Sequence, residues 1–419
     1  MRRCVRFGLT MLLLAVPAPA QEKLGKASLP KSDSSVECSL GAADLDALNG
    51  STAELVLQNG KRVADITLVK FVRGPNKDTV RTVIYRKLKT KKSRSFRADS
   101  LSKIIVAQKT YDLVPSGTRK SRLLVDVAEK NKVVTARLKA GRHRLWPILS
   151  AKQQAEAVQE HKDFLETVRT AFPGLSLRLY ETKFFLFFTD MPAAHIAGYV
   201  AQLDNMNVEL GKQFGVPQGE NIWRGKAVFI VFVNQASFVH FESKFMKLDR
   251  AATNRKHGIC HQSGNGNVIV ACFRGDDPRL FAQVLVHETT HGYLHRFKSS
   301  ARIPSWLNEG IAEWVSAVVV RSSRVPQKRQ QEAVLRLKQT GVIGQSFFEK
   351  KTEAWHYGVA SKIIDSLIKA NPRAFGSWIV SIKEGIDWSE GLRRTFGITP
   401  GQLIQAYGRS IGLPMIRLQ

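Results

Sequence analysis

Short alternating runs of apolar and polar residues fill the chain from Ala53 to Val106: Glu54-Leu55-Val56-Leu57, then residues 63–69, 79–85 and 104–106. Asn59-Gly60 and Gly74-Pro75-Asn76 separate them, and period-two runs between such turn residues predict antiparallel strands. A further strand pair is expected at residues 123–127 and 133–138, turning at Glu129-Lys130-Asn131-Lys132. This front end reads as a small β-barrel, SH3-like in type, over residues 49–150.

Beyond it the periods lengthen. Residues 151–170 read as a helix ended by Pro173-Gly174, Phe184-Phe185-Leu186-Phe187-Phe188 as a buried strand, and residues 193–214 as a second helix. Strands are expected at residues 227–233 and 267–271, with a short helix near Phe238. After Trp314 the chain looks all-helical, with helices at residues 357–370, 372–383 and 400–411.

The first residues change the picture of where the chain goes. Arg2, Arg3 and Arg6 precede a short apolar core at residues 9–16, and Ala18-Pro19-Ala20 fits a small-x-small cleavage site. Residues 1–20 are therefore expected to be a signal peptide, too short to anchor in a bilayer, with residues 21–48 a polar linker. The expected destination is periplasmic or extracellular. No later segment is long and apolar enough to span a membrane.

One stretch carries chemistry. In His287-Glu288-Thr289-Thr290-His291 the histidines lie four apart, so on a helix both imidazoles share a face and can grip one metal ion. Glu288 beside them is placed to take a proton from water. Asp276 and Asp277 offer a cap, Pro278 suits the first turn, and nothing breaks the helix before Gly292. A second helix is expected at Trp306-Leu307-Asn308-Glu309-Gly310-Ile311-Ala312-Glu313-Trp314, with Ser305 as its cap. Glu309 and Glu313 share one face there. A catalytic zinc takes three protein ligands and one open position, so Glu309 is the expected third ligand and Glu313 an acceptor behind a ligating imidazole. His295 is excluded as a ligand, because eight residues span about 12 Å of helix against Zn–N bonds of about 2 Å.

These two segments resemble the gluzincin metallopeptidases, in particular the peptidase MA-like branch, and are similar to a domain of unknown function found in secreted bacterial proteins. The resemblance covers roughly residues 180–415. It implies zinc bound by His287, His291 and Glu309, with Glu288 as general base. Trp355-His356-Tyr357-Gly358-Val359-Ala360-Ser361 resembles a downstream segment whose tyrosine polarises the substrate carbonyl, which gives Tyr357 that role, with His356 as the fallback. Gly358 directly after Tyr357 departs from the family pattern. No segment anchors a substrate amino terminus as in the aminopeptidases. The resemblance also implies a sheet edge that holds substrate as an added strand, here matched to residues 267–271, although a plain core strand fits Val268 to Ala271 equally.

The expected fold is thus α+β: the SH3-like barrel, then a thermolysin-like domain over residues 151–419 with a mixed sheet, an active-site helix and a helical C-terminal part. The expected activity is hydrolysis of peptide bonds in a peptide or protein substrate. The rival from another class is a catalytically quiet scaffold whose basic front end does the binding.

Charge bears on that rival. The formal net charge is +29, and residues 87–94 and 142–144 concentrate cations in the front end. Such a surface attracts anions such as envelope polymers, acidic glycans, lipid headgroups or extracellular DNA, or is a solvated face. Specific nucleic-acid reading is not expected, since the cationic runs lack interleaved aromatics. Of the cysteines, Cys260 and Cys272 flank a Gly264-Asn265-Gly266 turn, and a disulfide across that hairpin is expected within restrictive cross-strand geometry. His257 and His261 near Cys260 lack the paired spacing of a structural zinc site.

Overall fold

The structure, a computed structural model, describes residues 34–418 except 89, 91, 117–119, 350 and 351. The expected signal peptide and the first part of the expected linker lie outside the described residues. The chain is mixed α+β with a large antiparallel sheet on its N-terminal side. Residues 34–48, expected as linker, instead hold α1 (Ser34–Glu37) and α2 (Ala42–Ala47), and Leu45 is fully buried in the front-end core.

The alternating runs become β1 (Thr52–Leu57), β2 (Arg62–Arg73), β3 (Val80–Lys87), β4 (Ser93–Arg97), β5 (Leu101–Val106), β6 (Lys109–Pro115) and β7 (Arg122–Asp126). Their order is β2-β1-β5-β6-β7-β3-β4, and a β2–β3 pairing closes the barrel. Closure depends on β2, whose first half pairs with β1 and second half with β3. Asp65, at φ 53°, sits in the register shift within the β1–β2 pairing, and such a bulge bends a strand. Inward residues such as Leu55, Leu68, Phe71, Val83 and Ile104 fill the core.

The expected second hairpin is wrong. Residues after β7 form α3 (Val127–Ala140), because the Asp126 carboxylate accepts from the amides of Ala128 at 2.9 Å and Glu129 at 3.2 Å. What reads as a polar turn is a capped first helical turn.

The second half begins with α4 (Ala151–Ala171) and builds a mixed sheet from β8 (Arg178–Glu181), β9 (Phe185–Thr189), β10 (Ala227–Phe232), β11 (Gly258–Gln262) and β12 (Val268–Phe273), in the order β11-β12-β10-β9-β8. β9 and β10 are buried throughout, as strands covered on both faces must be. α5 (Ile196–Phe214) and α8 (Pro278–Arg296) cover one face; α4 and α6 (Gln235–Phe245) cover the other, with α7 (Arg250–Thr253) leading into β11. Phe185, Phe187 and Phe229 point to the first face and Leu186, Phe188 and Ile230 to the second.

β12 is therefore an internal strand between β10 and β11, which corrects the match of residues 267–271 to a sheet edge. The edge is β11. The hairpin around Gly264-Asn265-Gly266 forms, but Cys260 stands opposite Val270 and Cys272 opposite Gly258, and both thiols are free. Diagonal neighbours lie roughly 7–8 Å apart, beyond the usual disulfide span.

The C-terminal part is helical among the described residues: α9 (Ser305–Val319), α10 (Val325–Thr340), α11 (His356–Ala370), α12 (Pro372–Lys383), α13 (Trp388–Phe396) and α14 (Pro400–Ser410). Ser305, expected as a cap, is instead the first helical residue after Pro304, and its hydroxyl accepts from Thr352 Oγ1 at 3.0 Å. No helix among the described residues is long and apolar enough to cross a membrane. The barrel side meets the segments that follow α8 and α12: Val134 and Leu138 of α3 pack with Leu145 and Ala301, and Lys130 Nζ lies 3.0 Å from Glu384 Oε1.

Candidate metal centre

α8 carries both histidines on one face because it starts cleanly and packs without interruption. Asp277, rather than Asp276, caps it, accepting from the amides of Arg279 at 2.8 Å and Leu280 at 3.1 Å. The helix runs through Gly292 to Arg296. Gly292 is where α8 touches the sheet: a Cβ there would lie 2.4 Å from Val268 Cγ1, so only glycine allows this approach.

His287, Glu288 and His291 can present ligand atoms within 4.8 Å of one another, so this group could hold a metal ion. α9 brings a second carboxylate to the same two histidines. Glu309 Oε2 lies 3.3 Å from His287 Nε2 and 3.6 Å from His291 Nε2. That oxygen is buried and has no hydrogen-bond partner among the described residues. A four-coordinate ion with bonds of about 2.1 Å separates its donors by roughly 3.4 Å, and both Glu309 distances match that spacing.

The supporting groups converge behind these three. Glu313 Oε1 lies 3.2 Å from His287 Nδ1, within ion-pair distance. Asn308 Oδ1 lies 3.1 Å from His291 Nδ1. An imidazole that donates its outer nitrogen to such acceptors presents Nε2 inward. Burial works against charge on His287, but the close approach of Glu309 and Glu313 outweighs it and pushes its pKa up to about 10. Burial would likewise raise the carboxyls of Glu309 and Glu313, and the contact with His287 instead lowers both. Two carboxylates around a protonated imidazole form a cluster in which a divalent cation could take the place of the proton.

Glu288 faces β11. A Cβ on Gly258 would come within 3.2 Å of its Cγ. Burial raises its carboxyl pKa, while the two imidazoles and the Cys260 amide pull the other way. Tyr357, at the start of α11, lines the same cleft, with its ring 6.3 Å from that of His287. Burial, then the charge of Glu309, raises its phenol pKa, so the hydroxyl stays protonated.

His356 does not serve as the fallback. It is fully buried, its Nε2 donates to the Ile343 carbonyl at 2.7 Å and its Nδ1 accepts from the Glu353 amide at 3.1 Å. His261 is also engaged elsewhere, 3.0 Å from the buried Glu242 Oε1.

Sequence reasoning missed Arg329. It stands on α10, pairs with Glu313 Oε1, and lies with its guanidinium carbon 5.7 Å from the centre of the Tyr357 ring. Gly358 explains the contact: a Cβ there would lie 2.2 Å from the Arg329 carbonyl oxygen, so α11 crosses α10 backbone to backbone. Gly358 is thus the residue that lets α10 and α11 approach closely enough to bring Arg329 to the cleft. Asn308 was visible inside the second motif but has no spacing rule to announce it.

The cleft over these groups has a volume of about 500 Å³, with β11 along one wall. No family model matches the chain, and no curated protein matches it either.

Proposed function

We propose that the chain is an exported zinc-dependent peptidase of gluzincin type, with His287, His291 and Glu309 as ligands and Glu288 as general base. The observation that carries the reading is Glu309 Oε2, buried without a hydrogen bond and 3.3 and 3.6 Å from two imidazole nitrogens. Zinc is chosen over other ions because His-His-Glu with an open position is a standard catalytic set for it. When bound, the ion supplies a Lewis acid that acidifies water and polarises a carbonyl.

The chain's own groups do the rest. Glu288 takes the water proton and returns it to the leaving amine. Tyr357 donates its hydroxyl to the oxyanion that develops on the substrate, a contribution of about 3 kcal/mol for one such donor. β11 offers the free edge along which an extended peptide pairs by its main chain. The mixed sheet beside α8 and the helical C-terminal part support the gluzincin-type fold, and the closed barrel supports the SH3-like one; export rests on the N-terminal sequence.

The test is zinc content by plasma mass spectrometry, with cleavage of a peptide library. Wild type should hold about one zinc per chain, E309A should lose it, and E288Q should keep it while losing cleavage. No zinc in the wild type after reconstitution overturns the reading, and zinc without cleavage leaves only a scaffold. For the barrel the proposed partner is an anionic envelope polymer or glycan, because Arg81, Arg86, Lys87 and Arg94 are exposed. Unchanged salt elution of R86E/K87E from a polyanion column would remove that partner.

A further inference from the structure

The cleft continues past the metal ligands. A second lobe of about 430 Å³ shares Arg255, His257, Leu280 and Val284 with the first. β11 and α8 lie side by side, Gly258 against Val284 and Glu288, Cys260 against Gly292. Moving back along β11 therefore leads from the histidines toward the second lobe.

Cations stand along that path. Arg255 and Lys256 are exposed on the wall just before β11, and Arg274 lines the second lobe just after β12. Arg274 bonds through Nη1 only to the Gly275 carbonyl, at 3.1 Å, and its Nε is buried without a partner. The acids of the first lobe are Glu288 and Glu309, both at the metal centre. In the second lobe Asp277 is committed to capping α8, which leaves the exposed Asp276.

We propose that this cleft selects peptides with Asp or Glu two or three residues from the cleaved bond, on the side running toward Arg255. The inference rests on the peptidase reading. An extended chain on β11 advances about 3.3 Å per residue, so a side chain that far along arrives at Arg255 and Lys256. Main-chain pairing with β11 is indifferent to sequence, so charge in the adjoining lobe is what discriminates.

The experiment uses the full mature chain loaded with zinc and three labelled peptides sharing one central dipeptide, flanked by acidic, neutral or basic residues. Cleavage is followed in the wild type, and binding by fluorescence anisotropy in E288Q. Each binding measurement is repeated in E288Q carrying R255E/K256E and in E288Q carrying K61E/K109E, an equal charge reversal at exposed barrel positions. The acidic peptide should bind and be cleaved preferentially, and R255E/K256E should weaken its binding on the order of tenfold while K61E/K109E does not. Equal weakening in both variants assigns the preference to net charge and overturns the inference. Equal cleavage of all three peptides also overturns it and leaves the peptidase reading standing. Charge-selective binding that R255E/K256E abolishes, without cleavage of any peptide, sinks the peptidase reading and retains the acidic selectivity of the cleft. The milder R255Q/K256Q should show the same direction with a smaller loss.

Discussion

At the scale of single residues, the centre depends on a chain of contacts that starts outside the motifs. His287 is oriented by Glu313, and Glu313 is held in turn by Arg329. The Glu313 side chain is almost wholly buried, at 1% exposure, so removing its cation leaves a carboxylate with only an imidazole for company. Arg329 itself is partly exposed, which makes it replaceable without opening a cavity. R329Q should fold, and should bind zinc roughly tenfold more weakly, the usual lower bound for losing an outer partner of a ligand. R329K should recover little, because a point charge cannot both pair with Glu313 and lie flat over Tyr357. Chelator competition measures both; an unchanged zinc affinity in R329Q would show that Glu313 orients His287 unaided.

Elements set which of these residues the sequence could reveal. His287 and His291, and Glu309 and Glu313, are legible because one helical turn fixes their relation. Arg329 is not, because α10 is a polar helix that buries only Pro326, Ala333 and Leu337, and its contact with Glu313 follows from a helix crossing rather than a spacing. The edge role of β11 was hidden for a similar reason: strand order is a property of the whole sheet, and β12 carries the more apolar run. α3 was misread because a polar helical start and a polar turn use the same residues. Gly310 shows what a helix crossing asks of the sequence. It follows Glu309 directly, and a Cβ there would stand 2.9 Å from Ala360 Cβ and 3.0 Å from the Ala360 carbonyl carbon on α11. Helix propensity favours Ala over Gly by about 1 kcal/mol, whereas overpacking of this kind costs about 1–3 kcal/mol. G310A should therefore lower the melting temperature by a few degrees and displace Glu309, with loss of zinc. A G310A variant as stable as wild type and fully loaded with zinc would show that α9 and α11 can separate without cost to the centre.

On the scale of the whole molecule, the barrel side and the half that carries α8 meet at the segments that follow α8 and α12. Trp146, before the first helix of the second half, donates from Nε1 to the His295 carbonyl at 2.9 Å. Its ring lies 4.9 Å below the Arg296 guanidinium and 5.2 Å from the His295 ring, while the Arg144 amide donates to Ser300 Oγ at 2.9 Å. Residues 144–146 thus belong by contact to α8, although the chain pattern joins them to the barrel. Two truncations separate these possibilities, one starting at Arg144 and one at Ser150. Both lose the packing of Val134 and Leu138 on Ala301 and the Lys130–Glu384 pair, so that common cost cancels in the comparison. The shorter chain alone loses Trp146, and burial of a large side chain is worth about 2–3 kcal/mol. At about 2–4 °C per kcal/mol for a domain of this size, the chain starting at Ser150 should melt about 5–10 °C below the one starting at Arg144. It should also release zinc more readily, since the clamped turn follows His291 directly along α8. Equal melting temperatures for the two would place residues 144–146 with the barrel after all, and α8 would then owe its position to the sheet and to α9 alone.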